Sequence, residues 1–452
     1  MQQKGVLFDL DGTLLDSVGV WDGIGAAYLQ ARGLIAPPNL DRRLCAMTTE
    51  QVAAYFRTLG ARDSVEAIAH ALREAPLAAY RQTVPARPGA RALLQALAAR
   101  GIPMGIVSST NARCIRPALE RLGLSGYFSF LLCADDFGSG KDRPDIFLEG
   151  AKRLGTAPAE TLVFEDSLYA MRTAKKAGFS VAAVEESHAA PDRSQIAQAA
   201  DLVLHELSDF PLSFLETGPQ SCCAVIVAAG ASRRMGFSKI EASIGGLPVL
   251  VRTLMAFQKT RGITRMVVVC PPEKTAYFRA WLSGWGFGGQ VAAVVPGGET
   301  RQQSVAAGVR AAGDADWLAI HDGARCLVTP WEIARVLTDA RRYGAAALAV
   351  PVKDTVKLAD HTGMVETTPP RERLWAVQTP QVFPREQFVA LLPTARPADT
   401  DDCQLFERAG LPVHLCPGSY ENLKLTTPDD LLSAQEILRK RKEQEDANRT
   451  RV

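Results

Sequence analysis

Short apolar runs rich in β-branched residues alternate along the chain with stretches whose apolar positions recur every three to four residues. That alternation is the pattern of buried strands joined by helices packed on a sheet. Gly5-Val6-Leu7-Phe8 is the first run, and others fall near 103, 130, 162 and 180. From about 18 to 84 the strands stop and helical spacing persists, as in Ser64-Val65-Glu66-Ala67-Ile68-Ala69-His70-Ala71-Leu72, which reads as a helical insertion. Proline and glycine then crowd without period at Ser208-Asp209-Phe210-Pro211 and Thr217-Gly218-Pro219-Gln220-Ser221. After them the alternation restarts with Cys222–Val227, Met266–Cys270, Val291–Val295, Trp317–His321 and Ala345–Val350. The prediction is an α/β chain of two doubly wound domains: 1–207 with an insertion at about 18–84, a linker at 208–221, and a second domain at 222–440. A charged tail, 441–452, follows as a solvated helix end that frays.

Composition narrows this picture. At 452 residues the chain exceeds one ordinary core, and a formal net charge of +2 gives no nucleic-acid footprint. Nine scattered cysteines without a Cys-x-x-Cys pair, and six histidines without metal spacing, read as free, mostly buried thiols in a reducing compartment. No apolar run is long enough to cross a bilayer, and the first strand follows Met1-Gln2-Gln3-Lys4 directly. A cytoplasmic protein with neither membrane nor nucleic-acid partners is expected.

In the first half, the strand at 5–8 runs into Asp9-Leu10-Asp11-Gly12-Thr13-Leu14-Leu15-Asp16-Ser17. Two carboxylates one residue apart at a strand's end suit metal binding, or a nucleophile beside a proton donor; an Asp-Gly turn after a strand is the plainer alternative. The stretch resembles motif I of the haloacid dehalogenase superfamily. The other three motifs follow in order at Ile106-Val107-Ser108-Ser109-Thr110, Gly140-Lys141-Asp142-Arg143-Pro144-Asp145 and Val163-Phe164-Glu165-Asp166-Ser167. The resemblance implies Asp9 as a nucleophile forming an aspartyl phosphate and Asp11 as acid and then base. It implies Ser108 and Lys141 on the phosphoryl oxygens, and Mg2+ held by Asp9, the carbonyl of Asp11, and Asp166 with Glu165 nearby. The insertion resembles the small helical cap of the β-phosphoglucomutase-like subgroup, which closes over the site and selects the substrate. A binding module that keeps this fold without turnover is the alternative.

In the second half, Cys222-Cys223-Ala224-Val225-Ile226-Val227 opens into Ala228-Ala229-Gly230-Ala231-Ser232-Arg233-Arg234-Met235-Gly236. A strand opening into small residues and fixed positive charge suits a phosphate-facing loop, although a turn with solvated arginines fits these residues equally. The stretch resembles the opening signature of the cytidylyltransferases acting on methylerythritol 4-phosphate and of their relatives acting on alditol phosphates. The likeness continues at Gly297-Gly298-Glu299-Thr300-Arg301-Gln302-Gln303-Ser304, His321-Asp322-Gly323-Ala324-Arg325, Pro351–Lys357, Gln378-Thr379-Pro380-Gln381 and Glu421-Asn422-Leu423-Lys424.

The resemblance implies a Rossmann-like nucleotidyltransferase fold with a β-arm. Its chemistry is attack of an alcohol phosphate on the α-phosphorus of CTP, with Mg2+ as cofactor and release of pyrophosphate. Arg234, Lys239 and Lys424 would face the charge of the transition state, with Arg233 a solvated neighbour. Ala228, Ala229, Gly230 and Ser304 would hold cytosine and ribose, Asp322 the metal and ribose side, and Arg325 the loop. Thr355 and Arg371 would grip the alcohol phosphate, and Thr379 is a further candidate contact. Plainer alternatives are a buried ion pair for Asp322 and Arg325, a helix N-cap for Ser304, and a surface loop for the hairpin around His361-Thr362-Gly363. In the family that hairpin reaches across a homodimer. The sequence departs from the pattern at Ser232, in the spacing of Lys239, and at Cys326, where a proline is customary. Methylerythritol 4-phosphate is the expected acceptor; ribitol 5-phosphate or another alditol phosphate is the alternative.

Overall fold

The computed structural model describes all residues save 45–46, 138–139, 231–237, 397 and 451–452, and no side chains at 42, 135, 136, 188, 445 and 447–450. The chain divides into two compact units that part between Pro219 and Gln220.

In the first unit six strands form one parallel sheet: β1 (Gly5–Phe8), β2 (Met104–Ser108), β3 (Leu131–Cys133), β4 (Thr161–Glu165), β5 (Ser180–Val184) and β6 (Leu202–Leu204). Their order is β3-β2-β1-β4-β5-β6, so the chain winds outward in both directions from β1. The strands are short and almost wholly buried, mostly apolar with Ser108, Thr161, Glu165 and Ser180 among them, because both faces of the sheet are covered. β6 adds a strand to the five expected. The helices between Val18 and Gln82 make the insertion, with a separate apolar cluster of Tyr28, Leu29, Val52, Phe56, Ile68 and Leu72. Phe210, Phe214 and Leu215, inside the stretch expected as linker, are buried in the first core instead, and Phe214–Thr217 is a turn of helix. Apolar weight at those positions outcompetes the Pro and Gly that flank them.

The second unit holds β7 (Cys222–Val227), a two-residue ribbon of β8 (Ser243–Ile244) and β9 (Leu247–Pro248), then β10 (Ile263–Cys270), β11 (Val291–Pro296), β12 (Trp317–Asp322) and β13 (Ala346–Pro351). Next come the hairpin β14 (Leu358–Ala359) and β15 (Val365–Thr367), β16 (Trp375–Pro384) and β17 (His414–Pro417). The sheet order is β11-β10-β7-β12-β16-β13-β17. It is mixed: β16 runs antiparallel to both β12 and β13. Opposite β16 the register jumps from Ala347↔Gln381 to Ala349↔Val377, so Gln378, Thr379 and Pro380 bulge against Leu348 alone.

β14 and β15 pair as Leu358↔Thr367 and Ala359↔Val365 around the expected turn, with every residue of the ribbon exposed. The helix Pro428–Thr450 runs through the expected tail; within it Arg441 pairs with Glu421 and donates to the Leu327 carbonyl at 2.9 Å. Eight cysteines are free and buried among the described residues. No helix among them is long and apolar enough to cross a membrane.

Candidate active sites

The first site follows from parallel register. β1 lies between β2 and β4, with Phe8 opposite both Ile106 and Phe164, so three strands end side by side. Their carboxyl ends bring together Asp9, Ser108, Glu165 and Asp166, all buried. Carboxylate oxygens of Asp9, Glu165 and Asp166 lie within 4.8 Å of one another. Lys141, 2% exposed, enters from the turn before the helix Asp145–Leu154; its Nζ donates to Asp9 Oδ1 and, at 2.6 Å, to Glu165 Oε1. Glu165 Oε2 accepts from the backbone N–H groups of Asp166 at 2.8 Å and Ser167 at 2.9 Å, which leaves it orienting Lys141. Gly12 is required twice over. Its φ is +76°, and a Cβ there would stand 2.3 Å from Asp166 Oδ2.

Electrostatics sets what this cluster can hold. Burial pushes the Asp9 carboxyl up to about 8; Lys141 opposes the shift, and Glu165 and Asp11 reinforce it. Burial and the same crowding of acids push Asp166 up as well. Burial works against the Lys141 charge too, but Asp9 and Glu165 more than offset it and hold the ammonium protonated. One cation therefore faces three acids. A compact set of hard oxygen donors, whose crowding disfavours ionising all three acids around a single ammonium, fits a magnesium ion.

Asp11 stands apart from that set. Its Oδ1 accepts from Ser17 Oγ at 2.5 Å and from the Tyr80 hydroxyl, and its Oδ2 accepts from Thr110 Oγ1 at 2.5 Å. Tyr80 comes from the last helix of the insertion and in turn accepts from Trp21 Nε1 at 2.9 Å. Sequence reasoning missed Tyr80, Ser17 and Thr110 as partners. Thr110 carried a signal, two residues beyond Ser108, whose Oγ accepts its N–H at 3.0 Å.

The second site gathers at the carboxyl ends of β7, β10, β11 and β12. The Ala228 N–H donates to the Val269 carbonyl at 2.7 Å, Gly297 N–H to Cys270 at 2.8 Å, and Gly323 N–H to Val227 at 2.9 Å, lacing the three loops to neighbouring strands. A Cβ on Gly297 would meet Ala229 Cβ at 2.5 Å and Ser304 Oγ at 2.8 Å, so only glycine lets these segments touch. Thr300, in a capping box with Gln303, is the N-cap of the helix Arg301–Arg310. Ser304 is therefore not the cap; its hydroxyl donates to Thr300 O at 3.0 Å and accepts from Gly298 N at 3.1 Å, closing the loop onto the helix. Gly230 is exposed beside them.

Asp322 ends β12 amid cations. Lys424 Nζ is 2.9 Å from Oδ2, Arg325 Nε 3.6 Å from Oδ2, and Arg301 Nε 3.7 Å from Oδ1. Burial would raise its pKa, but Lys424 first, then Arg301 and Arg325, hold it down at about 2. The neighbouring His321 is held at about 4 by burial, hence neutral. Its Nε2 faces the Arg325 carbonyl at 3.1 Å and must carry the hydrogen, so Nδ1 accepts from Thr379 Oγ1 at 3.0 Å. Thr379 Oγ1 accepts from Asp322 N–H at 3.1 Å, and Asn422 Nδ2 donates to the Thr379 carbonyl at 3.0 Å. The bulge on β16 thus aims Thr379, 5% exposed, at the backbone of Asp322.

Residues 222–440 match the family model of 2-C-methyl-D-erythritol 4-phosphate cytidylyltransferase, and 3–178 match that of haloacid dehalogenase-like hydrolase. A protein named 2-C-methyl-D-erythritol 4-phosphate cytidylyltransferase from Desulforamulus reducens is 48% identical over 225 residues, covering 48% of this chain and 96% of its own length. The chain belongs to the 2-C-methyl-D-erythritol 4-phosphate cytidylyltransferase family. A relative of the same name from Dehalococcoides mccartyi is 44% identical over 48% of this chain and 96% of its own length. A protein from Desulforudis audaxviator named bifunctional enzyme IspD/IspF is 44% identical over 48% of this chain and 56% of its own length. This chain joins the cytidylyltransferase to a haloacid dehalogenase-like hydrolase.

The other expected residues of the cytidylyltransferase fall as follows. Arg234 lies outside the described residues, as do Arg233 and Ser232. Lys239 is half-buried in the turn after that stretch. Thr355 and Arg371 are exposed at the base of the β14–β15 hairpin, where Arg371 Nη1 donates to the Lys353 carbonyl at 3.1 Å. Cys326, in place of the customary proline, is buried with Leu327, Leu425 and Ala434.

Proposed function

We propose that the second unit transfers CMP from CTP to 2-C-methyl-D-erythritol 4-phosphate, giving the CDP-alcohol and pyrophosphate. The observation that carries this reading is the convergence of Ala228–Ala229, Gly297, Ser304, Asp322 and Lys424 at one end of the sheet, in a half of the chain that is 48% identical over 225 residues to a protein of that name. A phosphate oxygen of the acceptor attacks the α-phosphorus, a new P–O bond forms, the α–β bridge breaks and pyrophosphate leaves. Negative charge gathers on the equatorial oxygens, and Arg234, Lys239 and Lys424 answer it. Ala228, Ala229 and Gly230, together with Ser304, hold the cytosine and ribose, with Asp322 on the ribose side, steadied by Arg325. Thr355 and Arg371 hold the acceptor phosphate from a hairpin that reaches a second copy of the chain in a homodimer. Asp322 would also meet a magnesium ion bound with the triphosphate.

The first unit acts as a phosphatase. Asp9 attacks the phosphorus of an ester and becomes the aspartyl phosphate while the ester oxygen leaves with a proton from Asp11. Asp11 then takes a proton from water, whose oxygen displaces Asp9 and releases phosphate. Ser108 and Lys141 hold the phosphoryl oxygens. Asp9, Asp166 and the Asp11 carbonyl would hold magnesium, which when bound offsets the repulsion between the nucleophile and its anionic substrate. At 4 Å each like-charged pair costs about 4 kcal/mol at an effective dielectric near 20.

Incubation of the chain with CTP and either methylerythritol 4-phosphate or ribitol 5-phosphate, reading pyrophosphate release, tests the first reading. Turnover confined to ribitol phosphate would replace the acceptor. A panel of sugar and polyol phosphates, reading free phosphate, tests the second; no release from any ester would leave a binding module.

A further inference from the structure

Arg301 opens the helix Arg301–Arg310 and stands between two carboxylates. Its Nε lies 3.7 Å from Asp322 Oδ1, and its Nη2 donates to Asp402 Oδ2 at 2.7 Å. Asp402 is 3% exposed, an expensive place for a charge unless something specific holds it. Its own N–H donates to Gln381 Oε1 at 3.0 Å, and Gln381 Nε2 donates to Asp401 Oδ2 at 3.1 Å. Gln381 sits on β16 two residues past Thr379, which accepts from Asp322 N–H. One strand therefore grips both the acid at the end of β12 and the loop that carries Asp402, and Arg301 spans the gap between them.

The three cations around Asp322 are not equivalent. The Lys424 side chain is 41% exposed on a flexible stem, and Arg325 spends Nη1 on the Asn422 carbonyl at 2.7 Å. Arg301 alone of the three is locked by a second buried carboxylate. A guanidinium forked between two acids fixes direction as well as charge, which an ammonium cannot do.

We propose that Asp402 and Arg301 form a positioning pair for the cytidylyltransferase: Asp402 holds the guanidinium, and the guanidinium holds Asp322 where it meets the nucleotide. The inference rests on the CMP-transfer reading of this site. Neither residue needs to touch CTP for the pair to act, because its effect passes through Asp322.

The test uses the full chain with CTP and methylerythritol 4-phosphate, measuring kcat and KM for each substrate, with melting followed by tryptophan fluorescence. Five of the six tryptophans lie in the second unit, so that signal reports the unit concerned. Asp402→Asn is expected to lower kcat/KM for CTP by about ten- to hundredfold with KM for the acceptor unchanged. Arg301→Ala is expected to match it, and Arg301→Lys to recover a part, since lysine keeps the charge and loses the fork. A variant that melts earlier yet keeps wild-type kcat and KM would show that the pair serves the fold alone, and the proposal falls. Should Asp402→Asn not fold, Arg301→Lys decides by the same criterion. If the wild-type chain itself releases no pyrophosphate with any acceptor, the failure belongs to the CMP-transfer reading and not to the pair.

Discussion

Asp9 and Asp322 are both buried carboxylates one step beyond or at the end of a central parallel strand, and their environments push them in opposite directions. Asp9 rises to about 8 and Asp322 falls to about 2. Desolvation is the largest influence on each, so burial does not decide the outcome. The balance of neighbours does. Around Asp9 two further acids share one lysine, whereas around Asp322 two arginines and a lysine share one acid. The first arrangement calls for an added cation, and the second has positive charge to spare for a polyanion.

The sharpest way to break the comparison is to remove each centre and watch the other. Asp9→Asn is expected to cut phosphate ester hydrolysis by about four orders of magnitude or more while CDP-alcohol formation continues. Lys424→Ala should do the reverse at a smaller scale, about a hundred- to a thousandfold in CMP transfer, or about 3–4 kcal/mol of activation free energy. Measuring both activities on both variants exposes any cross-talk; joint loss in either variant would end the idea of two independent sites.

A third prediction concerns stability. The folded pKa of His321, about 4, lies below its unfolded value of 6.5, so between these values the unfolded chain takes up a proton that the folded chain refuses. Stability of the second unit should therefore fall as pH drops from 6.5 towards 4, by about 3 kcal/mol at most. Tryptophan-detected melting across that range checks it, and His321→Gln should flatten the slope. Tyr80→Phe is the mildest change: it removes one of three hydroxyls on Asp11 and should slow hydrolysis by about tenfold, read as kcat on a generic ester, with CMP transfer untouched.

Much of this was legible before any coordinates. Local signals carried the strand ends, because an apolar run followed by Asp-x-Asp, or by Ala-Ala-Gly, announces both the element and its chemistry within ten residues. β16 was not among the expected strands, because Pro380, Pro384, Gln378 and Gln381 interrupt any apolar run there. Its polar side chains are buried all the same, with partners such as Asn422 and Asp402 that lie 44 and 21 residues away in the chain. The same distance hid the hydroxyl cage of Asp11, since Tyr80 and Thr110 stand 69 and 99 residues from it. Periodicity reports which face is apolar. It says nothing about which polar groups a fold will introduce to one another.

The middle of the helical insertion packs around its own aromatic and aliphatic nucleus of Tyr28, Phe56 and Ile68, while its last helix sends Leu77 and Tyr80 into the core beneath the first sheet. Exchanges within that nucleus can therefore be absorbed away from the strands that carry Asp9, Ser108 and Asp166, whereas a change at Leu77 or Tyr80 reaches them directly. The middle of the insertion can thus be rebuilt while the helix bearing Tyr80 keeps its hold on Asp11.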